Sequence, residues 1–323
     1  MELSDLKKPF NTELIEYDRT FRNILSSNVQ LLDTIIKYVV KSKGKGLRPL
    51  LVIMSAKLVG RTAEDTYTMA SVVEMLHTAS LVHDDVVDET YVRRGMPSIN
   101  AMWKNKIAVL MGDYLLSKCL ISAAGTGNIR VMQILAEASK RLSRGELLQI
   151  EKSRKLNISE TEYFEIISDK TAALISAASE LGALSTSKNV DDHERLRNFG
   201  ENLGIDFQIK DDLLDYYGHQ KIIGKHVGND FKDKKITLPL IYAFKQATSK
   251  EISSIKRRLK RGVNSKHVKE IIDFVEQRGG IEYANSKKEE YAQKAKDCLK
   301  QYDDNETKDS LFNFVDYTVR RKK

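Results

Sequence analysis

Apolar residues return every three or four positions along most of this chain. From Met69 to Leu81 the stripe runs through Met69, Val72, Val73 and Leu76, and the small residues Ala79 and Ser80 continue it. Spacing of i, i+3, i+4 and i+7 predicts a helix with one face turned to a core. Comparable patterning predicts helices over Ile107 to Ala124, Ile129 to Ile150, Glu160 to Leu184 and Asp191 to Tyr216. Asn189 or Asp191 could cap the last of these. Glu251 to Val319 reads as shorter amphipathic helices. Strand signals are weak: β-branched runs such as Ile35 to Val40 lie inside longer helical patterns. Gly218 to Lys235 is rich in glycine and lysine, has no apolar period, and is expected to be a loop. The pattern predicts an all-α fold forming one large helical domain over residues 1–323.

Composition narrows the setting. Hydrophobic residues make up 41% of 323, enough for a substantial core, and 4 prolines with no serine-rich linker suggest no domain boundary. No uninterrupted apolar run reaches about 18 residues, so no transmembrane segment is expected. Met1 to Asn11 lacks an apolar signal segment, which points to the cytoplasm. Cys119 and Cys298 are too few for a disulfide framework or a zinc site. The net charge of +8 suits an anionic partner. Part of the excess lies in Lys256-Arg257-Arg258-Leu259-Lys260-Arg261 and in Arg320-Arg321-Lys322-Lys323. Neither run has interleaved aromatics, so no nucleic acid is expected, and the first reads as a solvated helix face.

Two acidic clusters interrupt this pattern. Asp84-Asp85-Val86-Val87-Asp88 and Asp211-Asp212-Leu213-Leu214-Asp215 share the form Asp-Asp-x-x-Asp inside apolar helical sequence. On a helix the first and last aspartates of each share a face and repel. Solvated acids are the ordinary reading of such residues. Two copies, each followed by basic residues, argue instead for cations, and hard carboxylate oxygens suit Mg²⁺ completed by water and phosphate. The first cluster is followed by Tyr91-Val92-Arg93-Arg94-Gly95. Upstream stands Gly44-Lys45-Gly46-Leu47-Arg48-Pro49, where glycines allow close anion approach and Pro49 suits a first helical turn. Gly224-Lys225, Asp230 and Lys234-Lys235 follow the second cluster.

This ordered set resembles the trans-isoprenyl diphosphate synthases, or trans-prenyltransferases. The resemblance runs from Lys45 to Pro239. It includes Leu76-His77-Thr78-Ala79-Ser80-Leu81-Val82-His83 before the first aspartates, then Gly112-Asp113, Gly145-Glu146-Leu147-Leu148-Gln149, Lys170-Thr171 and Phe207-Gln208-Ile209. Gly46 departs from it, since many members carry a second basic residue there. The resemblance implies an isoprenoid-synthase helical bundle around a central apolar tunnel. It implies Mg²⁺ held by Asp84, Asp88 and Asp211, with Asp85, Asp212 and Asp215 supporting. Arg93, Lys170 and Lys225 would contact an allylic diphosphate; Lys45, Arg48, His77 and Arg94 would bind isopentenyl diphosphate. Gln149, Thr171 and Gln208 would line the reacting region, and Lys235 with Arg320 or Arg321 would help close it. It also implies a homodimer and allows peripheral membrane contact on product release.

Product length in the family depends on residues four and five before the first aspartate, here Ser80 and Ala79. Bulky aromatics there give short products. Small residues leave room, and a helical turn of about 5.4 Å is roughly one isoprene unit. A long product, hexaprenyl to nonaprenyl, is therefore expected from a starter such as farnesyl diphosphate, with geranylgeranyl diphosphate synthase as the alternative. Different classes fit less well. A metal phosphohydrolase would want more histidine ligands than 6 histidines suggest. A noncatalytic partner subunit of a heteromeric synthase usually loses aspartates that this chain keeps. A terpene cyclase normally lacks the second full motif and the Lys45, Arg48 and His77 clamp.

Overall fold

The computed structural model describes residues 2–41, 44–217 and 228–320. α1 (Leu3–Lys7) leads through one 3₁₀ turn to α2 (Asn11–Leu25), α3 (Gln30–Lys41), α4 (Leu47–Val59) and the long α5 (Glu64–Val87). A hairpin of β1 (Val92–Arg93) and β2 (Met96–Pro97) precedes α6 (Ile99–Gly125) and α7 (Ile129–Lys155). Next come α8 (Glu160–Ile167), a π turn (Ser168–Ala172), α9 (Ala173–Leu184) and α10 (Val190–Tyr217). The rest is α11 (Asn229–Lys232), α12 (Leu238–Lys245), α13 (Ser249–Arg261), α14 (Ser265–Glu276), α15 (Gly280–Leu299) and α16 (Glu306–Arg320). The all-α expectation holds.

Packing groups the chain into two compact units. The first comprises Met1–Lys140, Leu174–Gly200 and Gln301–Leu311; the second comprises Arg141–Ala173, Glu201–Lys300 and Phe312–Lys323. In the first, α4 is enclosed nearly all round: Leu50, Leu51, Val52, Ile53 and Met54 are all buried, as a helix apolar on every side must be. Gly182 of α9 lets it approach α4, because a Cβ there would stand 2.3 Å from the Val52 carbonyl oxygen. The Cys119 thiol donates to the Val72 carbonyl at 3.3 Å, linking α6 to α5. In the second unit Ile209, Leu213 and Tyr216 of α10 share one core with Phe231, Leu240, Ile271 and Val275.

Several local expectations change. The predicted helix over 160–184 is broken by the five-residue π turn. Asp169 within it is buried and accepts from Arg141 Nε at 2.8 Å and from Arg144 Nη1 at 2.5 Å. The loop expected over 218–235 contains α11, because the Asp215 carboxylate accepts the N–H groups of Asn229 (3.2 Å) and Asp230 (3.0 Å) at its start. Residues 218–227, including Gly224 and Lys225, lie outside the described residues, as do Arg321, Lys322 and Lys323. Of the two candidate caps of α10, Asn189 serves: its Oδ1 accepts from the Asp191 N–H at 3.1 Å. One helix among the described residues, α6, is long and apolar enough to cross a membrane by length and composition alone, which a core helix can also be. Asp113 and Lys118 interrupt its apolar run.

Candidate active site

The first acidic cluster sits at the C-terminal end of α5. The helix closes at Val87, Asp88 is its C-cap, and no basic residue lies in the last turn. Carboxylates there face the negative end of the helix dipole, so the cluster needs cations. Asp84 is half-buried, Asp85 is 4% exposed and Asp88 is exposed. Asp85 is turned into the protein, where its Oδ1 accepts from Arg93 Nε (2.6 Å) and Nη2 (2.5 Å). Asn100 donates to its backbone carbonyl at 3.0 Å. The hairpin delivers Arg93: Arg94 and Gly95 both have positive φ, 54° and 75°, the two-residue turn whose twist suits paired strands. The Tyr38 hydroxyl anchors it by donating to the Pro97 carbonyl at 2.6 Å. His83 lies 3.5 Å from Asp113 and 3.3 Å from the Val109 carbonyl oxygen. Gly112 makes room, since a Cβ there would stand 2.2 Å from the His83 ring.

Beside this cluster the first unit gathers cations around His77. Arg48 Nη1 and His77 Nε2 are 3.1 Å apart. A guanidinium can only donate, so Nε2 accepts and the imidazole is neutral with its proton on Nδ1. Loss of hydration holds the His77 pKa well below the ordinary value, and Arg48, Arg94 and Arg93 press it further down. The Arg94 guanidinium occupies the space beside Gly44, where a Cβ would stand 2.5 Å from it. A small cavity of about 60 Å³ is lined by Glu74, Asp85, Arg93 and Arg94 among others. Glu74, 6% exposed, is the counter-charge that the sequence pattern did not reveal. Lys45 is exposed on the loop before α4. Ala79 is 3% exposed, and half-buried Ser80 donates back to the His77 carbonyl at 2.9 Å.

The second unit holds a cleft of about 190 Å³ that brings together Gln149, Lys170, Thr171, Gln208, Asp212 and Lys235. The π turn explains how Lys170 and Thr171 reach it. Gly145 of α7 lies against that turn, because a Cβ at 145 would stand 2.8 Å from the Lys170 backbone nitrogen. Such bulges within helices often mark functional sites. Glu146 then holds Lys170 Nζ at 2.5 Å and Gln149 Nε2 at 3.1 Å. Across the cleft Thr171 donates to Gln208 (2.6 Å), Gln208 donates to Asp212 (2.8 Å) and the Tyr163 hydroxyl donates to Asp212 (2.7 Å). Burial pushes the Asp212 pKa up to about 7, with neighbouring Asp211 adding to the rise. Burial and the charges of Asp212 and Asp215 likewise raise Asp230. Lys235, which pairs with Asp233 at 3.3 Å, opposes both shifts. Asp211 is half-buried, and Asp215 is tied to α11. Tyr163, Lys152 and Asp230 also line the cleft. Lys152 stands one helical turn from Gln149, a spacing that could have drawn attention to it.

Among the described residues no three aspartate, glutamate, histidine or cysteine side chains form a ready metal group. Half-buried Asp84 and Asp211 and exposed Asp88 are nevertheless hard oxygen donors of the kind that suit a divalent cation completed by water and phosphate oxygens.

The polyprenyl synthetase family signature matches residues 29–275. This chain belongs to the polyprenyl synthetase family. Octaprenyl diphosphate synthase of Escherichia coli (strain K12) is 33% identical over 298 residues, 92% of each chain. The decaprenyl diphosphate synthase structure from Rhodobacter capsulatus superposes with a TM-score of 0.94 at 34% identity over 100% of both chains. Polyprenyl synthase from Caulobacter crescentus CB15, solved with calcium and isoprenyl diphosphate, gives 0.91 at 33% over 100% of this chain and 98% of that one. Geranylgeranyl pyrophosphate synthase from Bacteroides thetaiotaomicron gives 0.84 at 36% over 99% and 100%. Polyprenyl synthetases of this sequence class thus include both long- and short-product enzymes.

The Asp212 carboxyl predicts a pH effect. Its pKa is about 7 folded against about 3.9 unfolded, so between these values the folded state binds more protons and stability falls as pH rises. Asp212→Asn removes this dependence. Denaturant melts of both proteins from pH 4 to 7 should show the variant gaining on the parent as pH rises. A constant difference would contradict the raised pKa.

Proposed function

We propose that this chain condenses isopentenyl diphosphate with an allylic diphosphate, such as farnesyl diphosphate, to build a long all-trans polyprenyl diphosphate. The observation that carries this reading is the Arg48, Arg93 and Arg94 cluster around neutral His77, close to an acidic helix end. A polyanion and its metal ions are what such a pair of charge clusters would serve. Family membership and the octaprenyl and decaprenyl relatives support it. The family match crosses both compact units, which supports treating the chain as one catalytic domain.

In this reading Asp84, Asp88 and Asp211 hold Mg²⁺, and Asp85, Asp212 and Asp215 keep the clusters in shape. Bound Mg²⁺ neutralises charge on the departing diphosphate. The calcium in the Caulobacter crescentus complex supports divalent-metal use. Lys170, Arg93 and Lys225 bind the allylic diphosphate as its C–O bond ionises. Lys45, Arg48, His77 and Arg94 orient isopentenyl diphosphate, whose terminal alkene carbon attacks the allylic cation. Proton loss to the released diphosphate completes the step. Gln149, Thr171 and Gln208 line the reacting region, with Lys235 and Arg320 closing it. The water-soluble substrates favour a cytoplasmic setting, and the apolar product favours peripheral membrane contact on release.

A second reading has one specific support, the 36% identity to a geranylgeranyl pyrophosphate synthase. Small Ala79 and Ser80 favour the longer product. A homodimer is supported by the part of α6 after the break at Lys104, where Val109, Leu110, Leu120 and Ile121 are exposed apolar residues about three turns apart.

Four outcomes test this reading. Purified protein given Mg²⁺, farnesyl diphosphate and labelled isopentenyl diphosphate should form polyprenyl products and lose this activity on chelation. Asp84→Ala and Asp211→Ala should each lower turnover at least about a hundredfold while circular dichroism is unchanged; near-normal turnover in either would refute the two-cluster mechanism. Ala79→Tyr or Ser80→Phe should shorten the product to about farnesyl or geranylgeranyl length, because a packed wall resists a ring by about 1–3 kcal/mol. Unchanged product sizes from both would move the ruler elsewhere. Light scattering should read a dimer of the 36.8 kDa chain, and a monomer at micromolar concentration would exclude it.

A further inference from the structure

The N-terminal helix brings a lysine to the basic clamp. Gly46 stands between Lys45 and Arg48 at the head of α4, in a left-handed conformation (φ 63°, ψ 35°). A Cβ built there would have one neighbour within 4 Å, the Lys7 Nζ at 3.6 Å. Lys7 is the last residue of α1 and is half-buried. Its place is fixed by the fold. Leu6 is 3% exposed, Phe10 is 2% exposed beneath the Lys57 ammonium, and Lys57 pairs with Glu13 at 2.5 Å, fastening α2 to α4.

The electrostatics point the same way. Loss of hydration lowers the Lys7 pKa, and buried Glu74, one turn before His77, opposes that. The same Glu74 acts on Arg94. Gly44 and Gly46 thus each leave room for a cation from elsewhere in the chain: Arg94 at 44 and Lys7 at 46. Position 46 could not cheaply supply its own, since positive φ strains any residue with a Cβ. Buried Glu74 thus acts on both Lys7 and Arg94, and a diphosphate bound at the head of α4 would add negative charge beside them.

We propose that Lys7 is a further phosphate-binding residue, contacting the diphosphate of isopentenyl diphosphate together with Lys45, Arg48, His77 and Arg94. This rests on the clamp proposed above, and the experiment separates the two. Steady-state kinetics with each substrate varied, calorimetric binding of isopentenyl diphosphate and thermal melts are run on Lys7→Met, Lys7→Arg and Arg48→Ala. Lys7→Met should raise KM and Kd for isopentenyl diphosphate at least about fivefold, the scale of one charge-assisted hydrogen bond. The saturating kcat, allylic KM and Tm should stay near the parent's, and Lys7→Arg should restore most of the affinity. A raised KM in Arg48→Ala with none in Lys7→Met overturns the proposal and leaves the clamp standing. No change in either variant overturns the clamp itself. A fall in kcat and Tm in Lys7→Met that Lys7→Arg does not repair assigns Lys7 to holding α1, which also overturns the proposal.

Discussion

Carboxylates crowded at the C-terminal ends of two helices are the constraint on which this molecule is built. Neither α5 nor α10 has a basic residue in its last turn, so dipole and neighbouring charges both disfavour the acids. The protein answers each aspartate differently. Asp85 takes a guanidinium, Asp212 takes two neutral donors and tends to keep a proton, and Asp215 takes backbone N–H groups. In both motifs the second aspartate is buried, whereas the first, Asp84 or Asp211, is half-buried. The same division thus recurs in two separately packed units. It matches a pair of sites in which the first aspartate faces a ligand and the second holds the helix end in shape.

The basic side obeys the same physics with the signs reversed. Arginines cannot lose their protons, so their crowding is relieved through their neighbours. His77 stays neutral and accepts from Arg48; buried Glu74 compensates Arg94 and Lys7. Glycines at 44 and 112 are the steric counterpart. They leave space that the Arg94 guanidinium and the His83 ring fill, so residues distant in sequence meet where a Cβ would have kept them apart.

The helical fold was legible because each helix repeats its apolar face over several turns, and Asn189 before α10 even carried its cap. What escaped the pattern depends on contacts the pattern does not contain. The π turn exists because Asp169 meets Arg141 and Arg144 while Gly145 lets α7 approach, and nothing in Ser168-Asp169-Lys170-Thr171-Ala172 alone indicates it. The Arg94-Gly95 turn lacks the usual Asn-Gly signal. α11 forms on a carboxylate 14 residues earlier. Candidate site residues were legible as an ordered set; Glu74, Tyr163 and Lys7 were not, because an isolated acid, tyrosine or lysine becomes informative only when folding surrounds it with charge.

These features share one energetic direction. Asp212 and Asp230 have raised pKa values, while His77 and Lys7 have lowered ones, and in each case burial is the largest cause. Each shift favours the neutral form, so folding works against the charged form at every one of these positions. A protein shaped only for stability would replace such groups with apolar ones. Their retention gives up stability for polar groups whose places and protonation states are set before any ligand arrives. Ligands that bind only the folded state return part of that stability by mass action.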